Sequence, residues 1–202
     1  MSKTIAYAAT GVAAAFVLGT VAMIQLKNVS LADCGATAVA GETIGGPFTL
    51  LNGQGQLVTE RDVITEPSLV YFGYTFCPDV CPLDVARNVT AVDILDERGI
   101  SVTPVFISID PARDTPDIVA DYAANFHPRM IGLTGSDEQV AAASQAYRTY
   151  YAKSGDDPDY YLMNHSTFTY LVLPDHGFVE FFRQSESPEA MADRVACFAA
   201  VA

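Results

Sequence analysis

The chain has 202 residues, 50% of them hydrophobic and 17% charged, which suits one packed domain with a short appendage and argues against wholesale disorder. Lys3 and Lys27 are the only charged residues among the first 32, so the remainder carries 9 basic and 24 acidic residues, a net −15 within an overall −13. That balance excludes nucleic acid as a partner, because phosphates need clustered Lys and Arg. It fits a soluble domain, or one that steers toward a cationic partner.

Ile5 to Leu26 is a run of 22 residues without a charge, preceded by a four-residue head. At about 1.5 Å per helical residue it spans a hydrocarbon core of roughly 30 Å. The reading is a transmembrane anchor over 5–26, with residues 1–4 as a short cytoplasmic head and everything after the run exported. The rival is a cleaved signal peptide, whose apolar region is usually only about 7–15 residues. Ser30-Leu31-Ala32 would serve as its cleavage site, while Ala32-Asp33 before Cys34 makes a poor lipoprotein signal. Residues 27–46, small and Gly-rich toward their end, read as a linker, and 47–202 as the folded domain.

Phe48 to Leu51 and Gln56 to Thr59 flank Asn52-Gly53-Gln54-Gly55, a hairpin signal. Ser68 to Thr75 is a continuous apolar run that reads as a buried central strand. A helical pattern follows from about Leu83 to Arg98, then a second buried strand from Thr103 to Ile109. Asp114-Thr115-Pro116 starts a helix that runs to about Phe126. Met130 to Leu133 reads as a short strand. Ser136 is the candidate N-cap of a helix reaching about Arg148, with Asp137 and Glu138 in its first turn. Lys153 to Tyr161 reads as a solvated acidic loop, a partner surface or a lid. Phe168 to Leu173 and Phe178 to Phe182 form a hairpin through Asp175-His176-Gly177, and Ser187-Pro188-Glu189 opens a last helix to about Cys197. Strands alternating with helices imply a parallel core, and the final hairpin adds antiparallel edges. The plan is α/β and thioredoxin-like, with an N-terminal β-hairpin extension.

The chemistry concentrates in Phe76-Cys77-Pro78-Asp79-Val80-Cys81-Pro82, where a strand gives way to a helix. Once the helix forms, Cys77 and Cys81 share a face, and the helix N-terminus favours thiolate over thiol. Thiolate both attacks disulfides and binds soft metals. Redox pairs usually have two intervening residues; the three here still permit a bridge across one turn. Of the three histidines, His127 and His176 read as exposed loop residues. His165, in Met163-Asn164-His165-Ser166-Thr167, directly precedes a buried strand whose start faces the cysteine loop in a thioredoxin-like fold. A lone His is more often structural than a ligand, so residue chemistry alone leaves copper binding and thiol–disulfide exchange both open. Two thiolates and one imidazole with no fourth ligand suit copper; zinc completed by Asp, Glu or water is the alternative.

Tyr71 to Pro82 resembles the signature of the Sco/SenC family of copper-binding proteins. Ser108-Ile109-Asp110-Pro111-Ala112-Arg113-Asp114-Thr115-Pro116, Gly132-Leu133-Thr134-Gly135 and the His165 segment through Asp175 match in order, so the resemblance covers roughly Gly46 to the end. It implies Cu(I) or Cu(II) bound through Cys77, Cys81 and His165. It also implies help in assembling the binuclear copper site of cytochrome c oxidase subunit II, by copper delivery, by reduction of that site's cysteines, or both. An upstream copper donor or thiol reductant follows as a further partner. The location implied is the bacterial inner membrane with the domain in the periplasm, or the equivalent mitochondrial inner membrane on its intermembrane-space side. A redox or copper sensor and a peroxidase are further readings, the latter weakened because peroxidases keep a single attacking Cys in a different motif.

The family commonly has Asp before the ligand His, where this chain has Asn164. The expectation is altered tuning of the site, not its loss. Asp79 is expected either to add charge near the site or to begin the helix. Cys34 and Cys197 are a candidate disulfide between linker and last helix, with two free thiols as the alternative.

Overall fold

The computed structural model describes residues 30–35, 44–155, 157 and 160–201 of the chain. The head and the expected membrane span over 5–26 lie outside these residues, and among the described residues no helix is long and apolar enough to cross a membrane.

A hairpin of β1 (Thr49–Leu51) and β2 (Leu57–Thr59) comes first, as its turn residues predict. Asn52 shapes the turn, its Oδ1 accepting N–H bonds from Gln54 and Gln56, each at 3.0 Å. A single turn, α1 (Glu60–Val63), leads into β3 (Ser68–Gly73), all six of whose residues are buried. Next come α2 (Val80–Glu97), the equally buried β4 (Thr103–Ser108) and α3 (Pro116–Phe126). Pro116 in the first turn of α3 loses no helical bond there, because the first amides of a helix have no partner within it.

β5 (Ile131–Leu133) lies close under α3: a Cβ on Gly132 would sit 2.3 Å from the Val119 carbonyl oxygen, so only glycine permits this approach. α4 (Asp137–Ala146) opens on Ser136 as expected, the Ser136 Oγ accepting from the Gln139 N–H while the Gln139 side chain accepts from the Ser136 N–H. It ends two residues short of the expected Arg148, which turns into the left-handed region at φ 54°.

The segment read as a loop, Lys153 to Tyr161, is the connection of a second ribbon, with Lys153 and Ser154 belonging to its first strand. β6 (Tyr151–Ser154) and β7 (Leu162–His165) pair antiparallel, Tyr151 opposite His165, and residues 155–161 connect them. Four-residue strands carrying Lys, Ser and Asn give too little alternation to stand out from a polar loop. β8 (Thr169–Leu173), β9 (Gly177–Phe182) and α5 (Pro188–Ala199) complete the chain.

The main sheet runs β5-β4-β3-β8-β9. β3, β4 and β5 are mutually parallel, while β8 pairs antiparallel with β3 and β9 with β8. This is the thioredoxin-like plan expected, with β3 central because an uncharged strand tolerates burial on both faces. The ribbon of β6 and β7 forms a separate two-stranded sheet. One apolar cluster gathers Val70, Phe72, Phe106, Ile107 and Tyr147; a second joins α2 to α5 through Leu95, Val195 and Phe198. Leu31 and Cys34 pack against the second and Ile44 against the first, so parts of the segment read as linker lie on the domain body.

Candidate metal centre

Cys77 lies in the turn after β3, Cys81 is the second residue of α2, and His165 is the last residue of β7. The fold brings these three together: both sulfurs and one imidazole nitrogen lie within 4.8 Å of one another. The Cys81 amide, one of the free N–H groups at the start of α2, donates to Cys77 Sγ at 3.3 Å. Cys81 Sγ lies 3.3 Å from His165 Nε2. His165 Nδ1 lies 2.8 Å from the Ser166 carbonyl oxygen, an acceptor only, so Nδ1 carries the proton and the Nε2 lone pair faces the sulfurs. Two soft sulfurs and an available imidazole lone pair, converging from separate elements, form a donor set that fits copper.

Both cysteines are free thiols, with Cys81 fully buried and Cys77 9% exposed. The expectation of thiolate at both positions is corrected at Cys81, whose pKa burial pushes above the ordinary thiol range. Burial also holds His165 below the usual imidazole value, offset in part by its bond to Ser166 and by the Asp84 charge. Burial thus favours the neutral forms of Cys81 and His165, which suits a cation that displaces a proton from Cys81 as it arrives.

The aromatic rings of Tyr71 and Tyr74 stand edge-on to the imidazole, with centroids 6.2 and 6.0 Å away. A Cβ on Gly73 would sit 3.2 Å from Cys81 Sγ, so the small residue before the turn leaves room for the sulfur. Beneath the site, Tyr71 Oη donates to Asp84 at 3.1 Å, and Arg87 faces the same carboxylate at 3.3 Å. Burial raises the Asp84 pKa despite both partners. Sequence reading missed this buried group. Its signal is an acid and an Arg, at positions 84 and 87, on the same helix stripe as the buried Val85, Asn88 and Val92.

The neighbouring expectations divide. Asn164 is exposed and alternates with the half-buried His165 along β7, so it projects away from the site side of the ribbon. Asp79 stands at the N-cap of α2 but makes no side-chain capping bond there, and it is exposed. His176 is exposed in its turn as expected, whereas His127 is only 9% exposed. Its Nδ1 accepts the Arg129 N–H at 3.1 Å, while Nε2 faces Asp93 at 3.6 Å. Arg129 in turn donates to both oxygens of Asp96, each at 2.8 Å, so the group of His127, Asp93 and Asp96 is organised around the Arg129–Asp96 ion pair. Cys34 and Cys197 are joined by a disulfide, with Cα atoms 5.6 Å apart.

Comparison with known proteins agrees with this geometry. A family model described as SCO1/SenC matches residues 36–200. Protein SenC of Rhodobacter capsulatus is 51% identical over 201 residues, covering 98% of this chain and 90% of that protein. The mitochondrial SCO1 homolog of Homo sapiens is 39% identical over 76% of this chain, which spans about half (52%) of that longer protein. Among solved structures, Arabidopsis thaliana ScoI with copper bound is 40% identical with a TM-score of 0.73, covering 77% of this chain and 98% of the other. Yeast Sco1 with copper bound is 34% identical with a TM-score of 0.71, covering 77% and 87%. BsSco, described as a member of the Sco family of cytochrome c oxidase assembly proteins, is 23% identical with a TM-score of 0.61, covering 79% and 94%, and speaks for the fold alone. A family match over most of the chain, close relatives and a shared fold place this chain in the SCO1/SenC family.

Proposed function

We propose that this protein is a membrane-anchored copper chaperone. It binds one copper ion through Cys77, Cys81 and His165 and helps assemble the binuclear copper site of cytochrome c oxidase subunit II. The observation that carries this reading is the orientation of His165, whose Nε2 lone pair is turned toward two free sulfurs by the bond from Nδ1 to Ser166. A thiol–disulfide exchange site would use that lone pair only as a proton acceptor for one thiol, whereas a metal ion uses it together with both sulfurs. Copper bound to relatives 40% and 34% identical supports the choice of metal.

In this reading residues 1–4 are a cytoplasmic head, 5–26 the anchor, 27–46 a linker and 47–202 the copper-binding domain. The domain then faces the periplasm, or the mitochondrial intermembrane space. The cargo meets one neutral imidazole and at least one thiol that must release its proton, and both sulfurs suit the soft Cu(I) ion. An upstream copper donor or thiol reductant completes the cycle.

A second reading rests on the two free thiols themselves. A dithiol four residues apart at a helix start can reduce the disulfide of an exported partner, each turnover forming a Cys77–Cys81 bond and giving two thiols on the partner. The two readings part at His165. Copper titration of the purified chain, followed by absorption and electron spin resonance, is expected to give one ion per chain and at least about tenfold weaker Cu(II) binding in His165→Ala. Copper binding and oxidase assembly that survive His165→Ala unchanged would leave the reductase reading standing alone.

A further inference from the structure

We propose that the segment Asp110 to Asp114, between β4 and α3, is a bracket that fixes the imidazole of His165 at its distance from the two thiols. The proposal rests on the copper reading and assigns positioning residues to it: Asp110, Arg113, Asp114 and Tyr161.

The bracket is itself rigid. Asp110 donates its N–H to Ser108 Oγ at 3.0 Å, and the amides of Arg113 and Asp114 return to the Asp110 carbonyl at 3.1 and 2.9 Å. Asp110 and Asp114 are 3% and 0% exposed.

One arm holds the cysteine turn. The Asp114 carboxylate accepts the Thr75 N–H at 3.0 Å and the Thr75 hydroxyl at 2.6 Å, two residues before Cys77. The other arm holds the histidine ribbon. Tyr161, which immediately precedes β7, donates its hydroxyl to Asp110 Oδ1 at 2.7 Å. Arg113 Nη1 donates to the Tyr161 carbonyl at 3.0 Å, and its guanidinium lies 3.7 Å from the Tyr161 ring centroid. The same guanidinium lies 4.7 Å from the ring of Phe76, so one cation touches both ligand-bearing segments.

The ribbon needs such an anchor. Among the described residues β6 and β7 pair only with each other, outside the five-stranded sheet, and an isolated two-stranded ribbon is marginal in water. Chain continuity into β8 secures the end that carries His165, and the bracket secures the start of β7. The bracket thus lets two segments 84 residues apart present their ligands together, as Cys81 and His165 do.

Tyr161→Phe tests this, because it removes the hydroxyl bond to Asp110 and keeps the ring under Arg113. The expected result is a Cu(II) dissociation constant raised about 5–10-fold, the scale of one lost outer hydrogen bond. Arg113→Lys, which keeps the charge and loses the planar fork, is expected to weaken binding more. In a His165→Ala background Tyr161→Phe is expected to change affinity by less than about twofold, because the two changes act through one ligand. The potential of the Cys77–Cys81 couple is expected to stay put. Equal losses with and without His165, or no loss in either background, would overturn the proposal. A copper-independent readout separates it from the copper reading: the His165 ring resonances of the reduced, metal-free protein. A sharp set in wild type that broadens in Tyr161→Phe supports the bracket even if copper titration fails, whereas identical ring resonances refute it.

Discussion

The two cysteine pairs of this chain have opposite fates. Cys34 and Cys197 are 163 residues apart in sequence and joined, whereas Cys77 and Cys81 are four apart and free. Separation along the chain therefore does not decide which pair bonds; surroundings do. Cys34 packs beside α5, where a covalent link closes a long loop and restricts the unfolded chain. Cys81 is wholly buried, held as a neutral thiol and turned toward an imidazole nitrogen, while the amide of Cys81 donates to Cys77 Sγ. The first pair is built to stay closed and the second to accept a cation.

The strongest way to break this contrast is to replace one sulfur of each pair. Cys77→Ser or Cys81→Ser is expected to weaken Cu(I) binding at least about 100-fold, beyond the 10–100-fold loss usual for an outer partner, with little change in unfolding midpoint. Competition titration and urea unfolding read the two quantities. Joint replacement of Cys34 and Cys197 by Ala should do the reverse. A loop of this length corresponds to about 5 kcal/mol in the chain-entropy picture, and losses of about 2–5 kcal/mol are typical, so a fall in that range with copper affinity moved less than about twofold is expected. Copper affinity that collapses with the disulfide would show that the staple shapes the site.

A smaller effect sharpens the account of the free pair. Burial raises the Cys81 thiol above its ordinary value, so copper must displace a full proton there; His165 is pulled below the usual imidazole range and arrives neutral. Copper affinity is expected to rise at least about tenfold per unit between about pH 6 and 8. A flat profile over that window would mean that Cys81 is already ionised before the metal binds.

The cysteine turn was legible because Ser68 to Thr75 lacks any charge and Pro78 and Asp79 mark a helix start; that pattern placed β3, the turn and α2 in order. The parallel core followed from the alternation of strands and helices. The ribbon of β6 and β7 was not legible, because its strands are short and polar and are held by Arg113 and Asp110, some 50 residues earlier. The burial of His127 escaped for a similar reason: it lies against α2, with Nε2 facing Asp93, a neighbour 34 residues earlier in the chain. Cys34 and Cys197 could be named as partners, but only the fold shows their Cα atoms to be 5.6 Å apart.

The disulfide also has a mechanical consequence on the anchored arrangement proposed above. Without it, the tether between the span and the domain is the linker 27–46, whose contour length reaches about 70 Å at roughly 3.5 Å per residue. With Cys34 bonded to α5 and Leu31 already packed on the domain, the free tether shrinks to residues 27–30, about 14 Å by the same reckoning. Cys34 packs against the cluster that Ile94, near the C-terminal end of α2, also joins, while Cys81 sits 13 residues before Ile94 on that helix, a rise of about 20 Å at 1.5 Å per residue. On that proposed arrangement the staple would hold the far end of the domain near the bilayer on a short leash, with the thiols and His165 toward the other end of α2.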